Sequence, residues 1–317
     1  MARDRRVAKS KAIQRRTGKT FHFATRVLPE RVRHPTYVLY AFFRIADEVV
    51  DDAEGVPPEE QASRLEELRE EALGRAETDS PVMAAFQDVR EDRGVQDGEI
   101  NAFIEAMKTD IDKSRYETFA ELRGYMRGSA AAVGAMMTSI MDTEDAEVAH
   151  PHAVALGEAF QMTNFLRDVR EDVVDRDRIY LPRETLDRHG VPVEQVENLE
   201  FSPEFADAMR EELDRTERLY RQGVAGIQYL PEDCQFAVLL AAVLYADHHR
   251  LIRKQDCDVL SAHPSLGTAR KAWLAARTRW HWQWNRDPTT VFRRVSALPD
   301  AAADRYETEP PDPLPVP

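Results

Sequence analysis

Two acidic runs hold the residues whose types and spacing suggest chemistry. In Asp47-Glu48-Val49-Val50-Asp51-Asp52 the aspartates at 47 and 51 stand four residues apart, at the end of the apolar stretch Tyr37 to Val50. On a helix that spacing puts both carboxylates on one face, about 6 Å apart along the axis at about 1.5 Å rise per residue. Taken alone, such a pair reads most simply as a solvated acidic helix end ahead of Gly55. In the second run, Gln161 to Asp172, the residues Asn164, Asp168 and Asp172 recur every four positions. An unbroken stripe of short oxygen side chains on an otherwise apolar helix packs poorly against protein, and the alternative for this run by itself is a charged surface helix.

Together the two runs point further. Hard cations such as Mg²⁺ take oxygen ligands and keep waters and substrate phosphates in their shell, and two facing acidic helices can hold them. Neither run contains histidine, which argues against zinc or a di-iron site with Glu-x-x-His spacing. His248 and His249 lie on another candidate helix without matching carboxylates and read as structural. The two cysteines, Cys234 and Cys257, lack CxxC spacing and cannot form a disulfide framework, so reduced structural thiols are expected.

Positioning such side chains falls to helices. Glycine is scarce, and no segment alternates apolar with polar residues long enough to suggest a sheet. Periodicity predicts helices over His34–Ala53, Pro58–Ala76, Ser80–Asp92, Asp97–Asp110, Thr118–Met141, Ala146–Asp172, Ser202–Gln228, Pro231–Lys254 and Leu266–Trp284, separated by short Gly- and Pro-bearing turns. Connections this short make neighbours in one bundle. The expected organisation is a basic, disordered segment over 1–19, one all-α domain over 20–286, and a disordered proline-rich acidic tail over 287–317.

With 57 acidic against 43 basic residues, the net charge of −14 argues against a nucleic-acid binder. The longest apolar runs fall short of a membrane span, and arginines and lysines interrupt any secretory signal. A cytoplasmic protein is expected. Its basic segment Arg3 to Lys19 offers a peripheral contact with the anionic inner face of the cell membrane, the alternative being an idle disordered tail. No obligate protein partner is evident.

The run Tyr40 to Asp52 resembles the first aspartate-rich motif of the squalene and phytoene synthase family. Asn164 to Asp172, followed by Arg178-Ile179-Tyr180-Leu181-Pro182, resembles the family's NxxRDxxED and RxYLP signatures. Further likeness lies at Thr20-Phe21, Leu28-Pro29, Ala106 to Asp110, Arg115 to Thr118 and Tyr125 to Gly134, so the resemblance covers about Thr20 to Trp280. One departure stands out. The family has a Gly before the arginine of RxYLP and a shorter gap, whereas this chain has Val173-Val174-Asp175-Arg176-Asp177, leaving both Arg176 and Arg178 as candidates for that arginine.

The resemblance implies an isoprenoid synthase bundle with a central apolar cavity, and a transferase that couples two isoprenoid diphosphates head to head through a cyclopropylcarbinyl diphosphate. It implies that Asp47, Asp51, Asn164, Asp168 and Asp172 bind Mg²⁺, with Mn²⁺ as the alternative. It also implies that Asp47, Asp51, Asp168, Asp172 and Tyr125 are catalytic, and that Arg44, Tyr40, Gln161, Asn164, Arg167, Arg178 and Tyr180 bind substrate. Phe43, Met136, Met137, Phe160 and Phe165 are candidates for the cavity wall. The Tyr180-Leu181-Pro182 ending leans toward the phytoene-forming branch, with geranylgeranyl diphosphate and no NADPH; squalene or dehydrosqualene from farnesyl diphosphate is the alternative. A non-catalytic assembly or lipid-binding relative is a third reading, opposed by the intact aspartates.

Overall fold

The computed structural model describes residues 23–51 and 55–299. The expectations for 1–19, Thr20-Phe21, Asp52 and the prolines from Pro310 onward lie outside these residues. Among the described residues the chain forms helices α1 (Glu30–Asp51), α2 (Pro58–Ala72), α3 (Pro81–Arg93), α4 (Asp97–Asp112), α5 (Phe119–Met126), α6 (Ala132–Met141), α7 (Ala146–Arg176), α8 (Arg183–Arg188), α9 (Val193–Glu197), α10 (Pro203–Ala225), α11 (Glu232–Lys254), α12 (Thr268–Trp284) and α13 (Pro288–Val295). No strand is present among them. A single parallel bridge pairs Arg115 with Ile179, and the Ile179 amide donates to the Ser114 carbonyl at 2.9 Å.

Helix starts follow local chemistry. Ser80, Thr118, Ser202 and Asp287 each accept a backbone N–H three residues on, satisfying a donor that the first helical turn leaves over. α7 is the axis of the bundle, and small residues let its neighbours come close. A Cβ on Gly157 would meet the Ala130 carbonyl at 2.6 Å, and one on Gly223 would meet Leu156 at 2.7 Å. The main core runs from Leu28 to Val295, with Phe42 stacked on Phe86 at 4.2 Å between ring centres. Fully burying a side chain of that size contributes roughly 1.5–3 kcal/mol. A second cluster, including Leu181, Leu186, Val196, Phe205 and Met209, packs under the segment that follows α7.

Three differences from the sequence reading have physical causes. The span Thr118–Met141 is not one α-helix but α5 and α6 joined by a π turn, Arg127–Ala131. α4 crosses there so closely that a Cβ on Gly128 would lie 2.2 Å from the Ala102 carbonyl, and the wider turn accommodates the crossing next to Tyr125. Helices α8 and α9 were not expected at all, being too short to show a period. Finally, the tail assigned to 287–317 begins with a helix. In α13, Pro288 occupies the first turn, where a missing N–H costs nothing, and Val291, Phe292 and Val295 are buried.

Candidate active site

The acidic stripes of α1 and α7 face each other across the mouth of a cavity of about 900 Å³. All twelve sequence-predicted site residues line it: Tyr40, Arg44, Asp47, Asp51, Tyr125, Gln161, Asn164, Arg167, Asp168, Asp172, Arg178 and Tyr180. Of the wall candidates, Phe43, Met137, Phe160 and Phe165 line it too, while Met136 points into the core and is fully buried.

Arginines tie the stripes together. Arg176 reaches Asp172 at 3.1 Å along its own helix and Asp51 at 3.5 Å on α1, bridging the two motifs. Arg44 lies 3.7 Å from Asp47 and 3.9 Å from Asp51, and Arg167 grips Asp168 through two hydrogen bonds of 2.6 and 2.5 Å. Arg178 donates to the Asp110 carbonyl at 2.8 Å and sits 3.4 Å from Asp51. Its placement explains the departure in the motif. Asp177 ends α7 in the left-handed conformation, φ 51°, and the Arg178 amide closes back onto the Asp172 carbonyl at 2.9 Å. The position before the arginine is therefore one that glycine favours and aspartate tolerates.

The carboxylates outnumber what these arginines can neutralise in an enclosed space. Burial pushes Asp172 up to about 7, with Asp168 adding to it against the pull of Arg176. Asp47 rises to about 7 as well, through enclosure and the nearby Asp51; its side chain keeps 39% exposure, but that exposure is toward the cavity. Asp110, which the sequence reading did not assign, is lifted to about 6 by burial. It accepts the Tyr125 hydroxyl at 2.7 Å through one oxygen, while the other is buried without a partner. The oxygen donors of the two stripes, with surplus negative charge and an orphaned carboxylate oxygen beside them, fit hard divalent cations.

Histidine does enter the site, from elsewhere in the chain. His263 Nδ1 lies 3.4 Å from both Asp168 and Glu171, and donor atoms of these three residues all fall within 4.8 Å of one another. His263 lies in the loop before α12, where no helical period could have announced it. His248, read as structural, is buried but also borders the cavity.

Below the charged mouth the wall becomes aromatic. Phe165 and Tyr180 stack at 3.9 Å, Tyr125 lies 5.9 Å from Tyr180, and Phe160 stacks on Tyr245 at 4.5 Å. A second, apolar cavity of about 140 Å³ adjoins the first, sharing Val133, Met137, Gly157 and Phe160 as wall and otherwise lined largely by small residues such as Gly134, Ala153, Gly223, Gly226 and Ala241.

The profile of the family described as squalene/phytoene synthase matches residues 14–274. The chain is 32% identical over 271 residues to a phytoene synthase of Rhodobacter capsulatus, covering 83% of this chain and 78% of that one. To a phytoene synthase of Cereibacter sphaeroides it is 35% identical over 241 residues, covering 73% and 67% respectively. Among solved structures, a dehydrosqualene synthase in complex with a ligand superposes with a TM-score of 0.81 at 26% identity, over 89% of this chain and 98% of that one.

Proposed function

The chain belongs to the squalene/phytoene synthase family, and on that premise we propose that it joins two molecules of geranylgeranyl diphosphate head to head, through a cyclopropylcarbinyl diphosphate, to give phytoene. The observation that carries the reading is the union, in one cavity, of two aspartate-bearing helices and their arginines at the mouth with an aromatic wall below. Two diphosphates and two protons leave for each hydrocarbon formed, one of each in either half-reaction, so the reaction is redox-neutral and takes no nicotinamide.

Asp47, Asp51, Asn164, Asp168 and Asp172 would hold the divalent cations, Mg²⁺ first and Mn²⁺ as substitute, which when bound neutralise charge developing on the leaving diphosphate. The guanidinium groups of Arg44, Arg167, Arg176 and Arg178 receive diphosphate oxygens, for which their fork geometry is suited. Because these arginines are already ordered by aspartates, substrate binding shares existing partners rather than fixing mobile side chains. Arg178, anchored to the Asp110 carbonyl, holds the floor of the diphosphate site, and the more exposed Arg176 is the one able to turn toward substrate. Asp110 fixes the Tyr125 hydroxyl toward the cavity. The rings of Phe43, Phe165 and Tyr180 exclude water from the cationic intermediates and offer them π faces.

The second cavity supports the longer chain. A dry cavity of about 150 Å³ takes up a six-carbon benzene, so one of about 140 Å³ suits a single five-carbon isoprene unit, the difference between farnesyl and geranylgeranyl chains. Offered both diphosphates in competition with Mg²⁺, with and without NADPH, the protein is expected to release phytoene regardless of NADPH, as read by mass spectrometry. Squalene formed only with NADPH would overturn the product assignment, and no hydrocarbon from either substrate would overturn the coupling activity itself.

A further inference from the structure

α12 carries an outer face that the proposed chemistry does not use. Its inner side, Leu274, Thr278 and Trp282, is buried in the bundle. On the opposite side Trp273, Trp280 and Trp284 are 45%, 62% and 78% exposed. Their spacing of seven and four residues places them on one stripe, and the exposed Ala269, Ala272 and Ala276 fill the stripe between and before them. Three large aromatic side chains left in one exposed line are not the scattered apolar residues of an ordinary surface.

The charge around this stripe runs against the rest of the molecule. The chain carries a net −14, yet from Val259 to Arg286 it contains no aspartate or glutamate, while it holds Arg270, Lys271, Arg277, Arg279 and Arg286. α13 extends the basic rim with the exposed Arg293 and Arg294, and Arg277 donates to the Arg294 carbonyl at 2.7 Å, which fixes the two helices side by side. Among the described residues no carboxylate lies within ion-pair distance of Arg277, Arg279, Arg286, Arg293 or Arg294. Arg277 also lies over the Trp273 ring at 5.1 Å. The start of α12 reaches the substrate cavity, for Lys271 and the preceding Pro264 and Leu266 line its mouth.

We propose that the outer face of α12, with the arginines of α13, docks the protein on an anionic lipid bilayer. Tryptophan concentrates at the boundary between headgroups and acyl chains, and clustered arginine and lysine are drawn to anionic headgroups. A helix with an apolar stripe and basic flanks lies in the plane of that boundary. No helix among the described residues is long and apolar enough to cross a membrane, so the contact is peripheral. The net negative charge of the whole chain helps to orient the encounter, since this basic face is drawn to a surface that repels the acidic remainder. Docking here sets the cavity mouth beside the lipid from which a polyprenyl diphosphate arrives.

All four tryptophans of the chain lie on α12, so intrinsic fluorescence reports on this helix alone. With the full-length protein and vesicles of phosphatidylcholine plus phosphatidylglycerol, the emission shifts to the blue and the protein sediments with the vesicles. Both effects are lost with phosphatidylcholine alone and weaken at high salt. The double variant Trp280→Ser with Trp284→Ser binds about tenfold or more weakly, while its circular dichroism and its turnover of detergent-dispersed substrate stay as in the parent. Undiminished vesicle binding by that variant overturns the proposal, including the case in which deletion of residues 1–19 abolishes binding instead. A fall in native mass on the double substitution also overturns it, because the stripe would then be the contact with a second copy.

Discussion

At the mouth of the cavity, Asp47, Asp51, Asp168 and Asp172 are held in place by Arg44, Arg167 and Arg176. At its floor, Gly134, Gly223 and Gly226 let helices approach until a Cβ would collide with the neighbour. The mouth concentrates like charges that burial lifts toward neutrality, an arrangement that costs stability in the absence of a cation. The floor, by contrast, is a small apolar cavity walled by helices in close approach, and any added volume there is felt directly. Polar substitutions at the mouth are therefore expected to spare the fold and harm function, whereas substitutions at the floor are expected to alter which chain the proposed reaction accepts.

The largest effect is expected at the mouth. Asp51→Asn or Asp172→Asn should lower turnover by about 10³-fold or more, since each removes a carboxylate from the proposed cation and diphosphate site. The melting temperature of the cation-free protein at pH 8 should be unchanged or higher, because the ionised Asp172 carboxylate is unfavourably buried. Differential scanning fluorimetry with and without Mg²⁺ plus inorganic diphosphate checks both halves: the parent gains stability from the pair and the variants do not. A variant that unfolded in the cation-free state would contradict the assignment of these residues to the site rather than the fold.

The floor sharpens the contrast. Ala241→Phe puts a ring where the last isoprene unit is proposed to lie, so product should shift from forty-carbon toward thirty-carbon hydrocarbon when both substrates are supplied. Because the ring enters an existing void, the melting temperature of the substrate-free protein should fall little if at all. Normal phytoene output from this variant would show that the small cavity takes no part in chain length, while leaving the coupling reaction untouched.

Mouth and inner wall also titrate in opposite directions. The folded-state pKa of Asp172, about 7, lies above its unfolded value, so the folded protein binds the extra proton and this group favours folding as pH falls from 7 toward 4. His248 is held down to about 3 by burial and by Arg167. Its unfolded form takes up a proton below about 6.5, so its contribution to stability is present above that pH and is lost as pH falls from 6.5 toward 3. The slope is about 1.4 kcal/mol per pH unit for one fully coupled proton. His248→Gln should therefore lose less stability between pH 7 and pH 5 than the parent, and Asp172→Asn should lose more, in urea unfolding midpoints. Equal losses for all three proteins would remove the titration argument.

What the sequence made legible depended on period. Asp47 with Asp51, and Asn164 with Asp168 and Asp172, announce themselves because i, i+4 spacing survives folding as a shared face, and the caps Ser80, Thr118 and Ser202 stand within a residue of the helix starts expected there. Asp110 and His263 gave no such signal. The first acts through burial beside Tyr125 and the second from a loop, and neither property is written in spacing. α13 is hard to read in the sequence for a different reason: it is eight residues long and stands before a proline-rich stretch, although Asp287-Pro288 supplies a cap followed by a first-turn proline. The π turn at Arg127–Ala131 answers to a helix crossing, which only the folded chain contains.

The smallest effect is expected where the mouth meets the end of α7. Asp177 adopts φ 51°, a left-handed conformation that costs a residue with a Cβ roughly 1–2 kcal/mol and glycine almost nothing, though aspartate eases it through local hydrogen bonding. Asp177→Gly relieves that cost. It also gives up the 2.7 Å contact with Arg115, but that side chain is 85% exposed and an exposed pair contributes only about 0–1 kcal/mol. Glycine further loosens the unfolded chain, which opposes the gain. These terms nearly cancel, so the melting temperature should move by no more than about 4 °C in either direction, and turnover should stay within about twofold, because Arg178 is fixed by Asp51 and the Asp110 carbonyl rather than by its neighbour. A large loss of turnover with an unchanged melting temperature would show that the Asp177 carboxylate itself shapes the diphosphate site, and the mouth would then extend one residue beyond the two stripes.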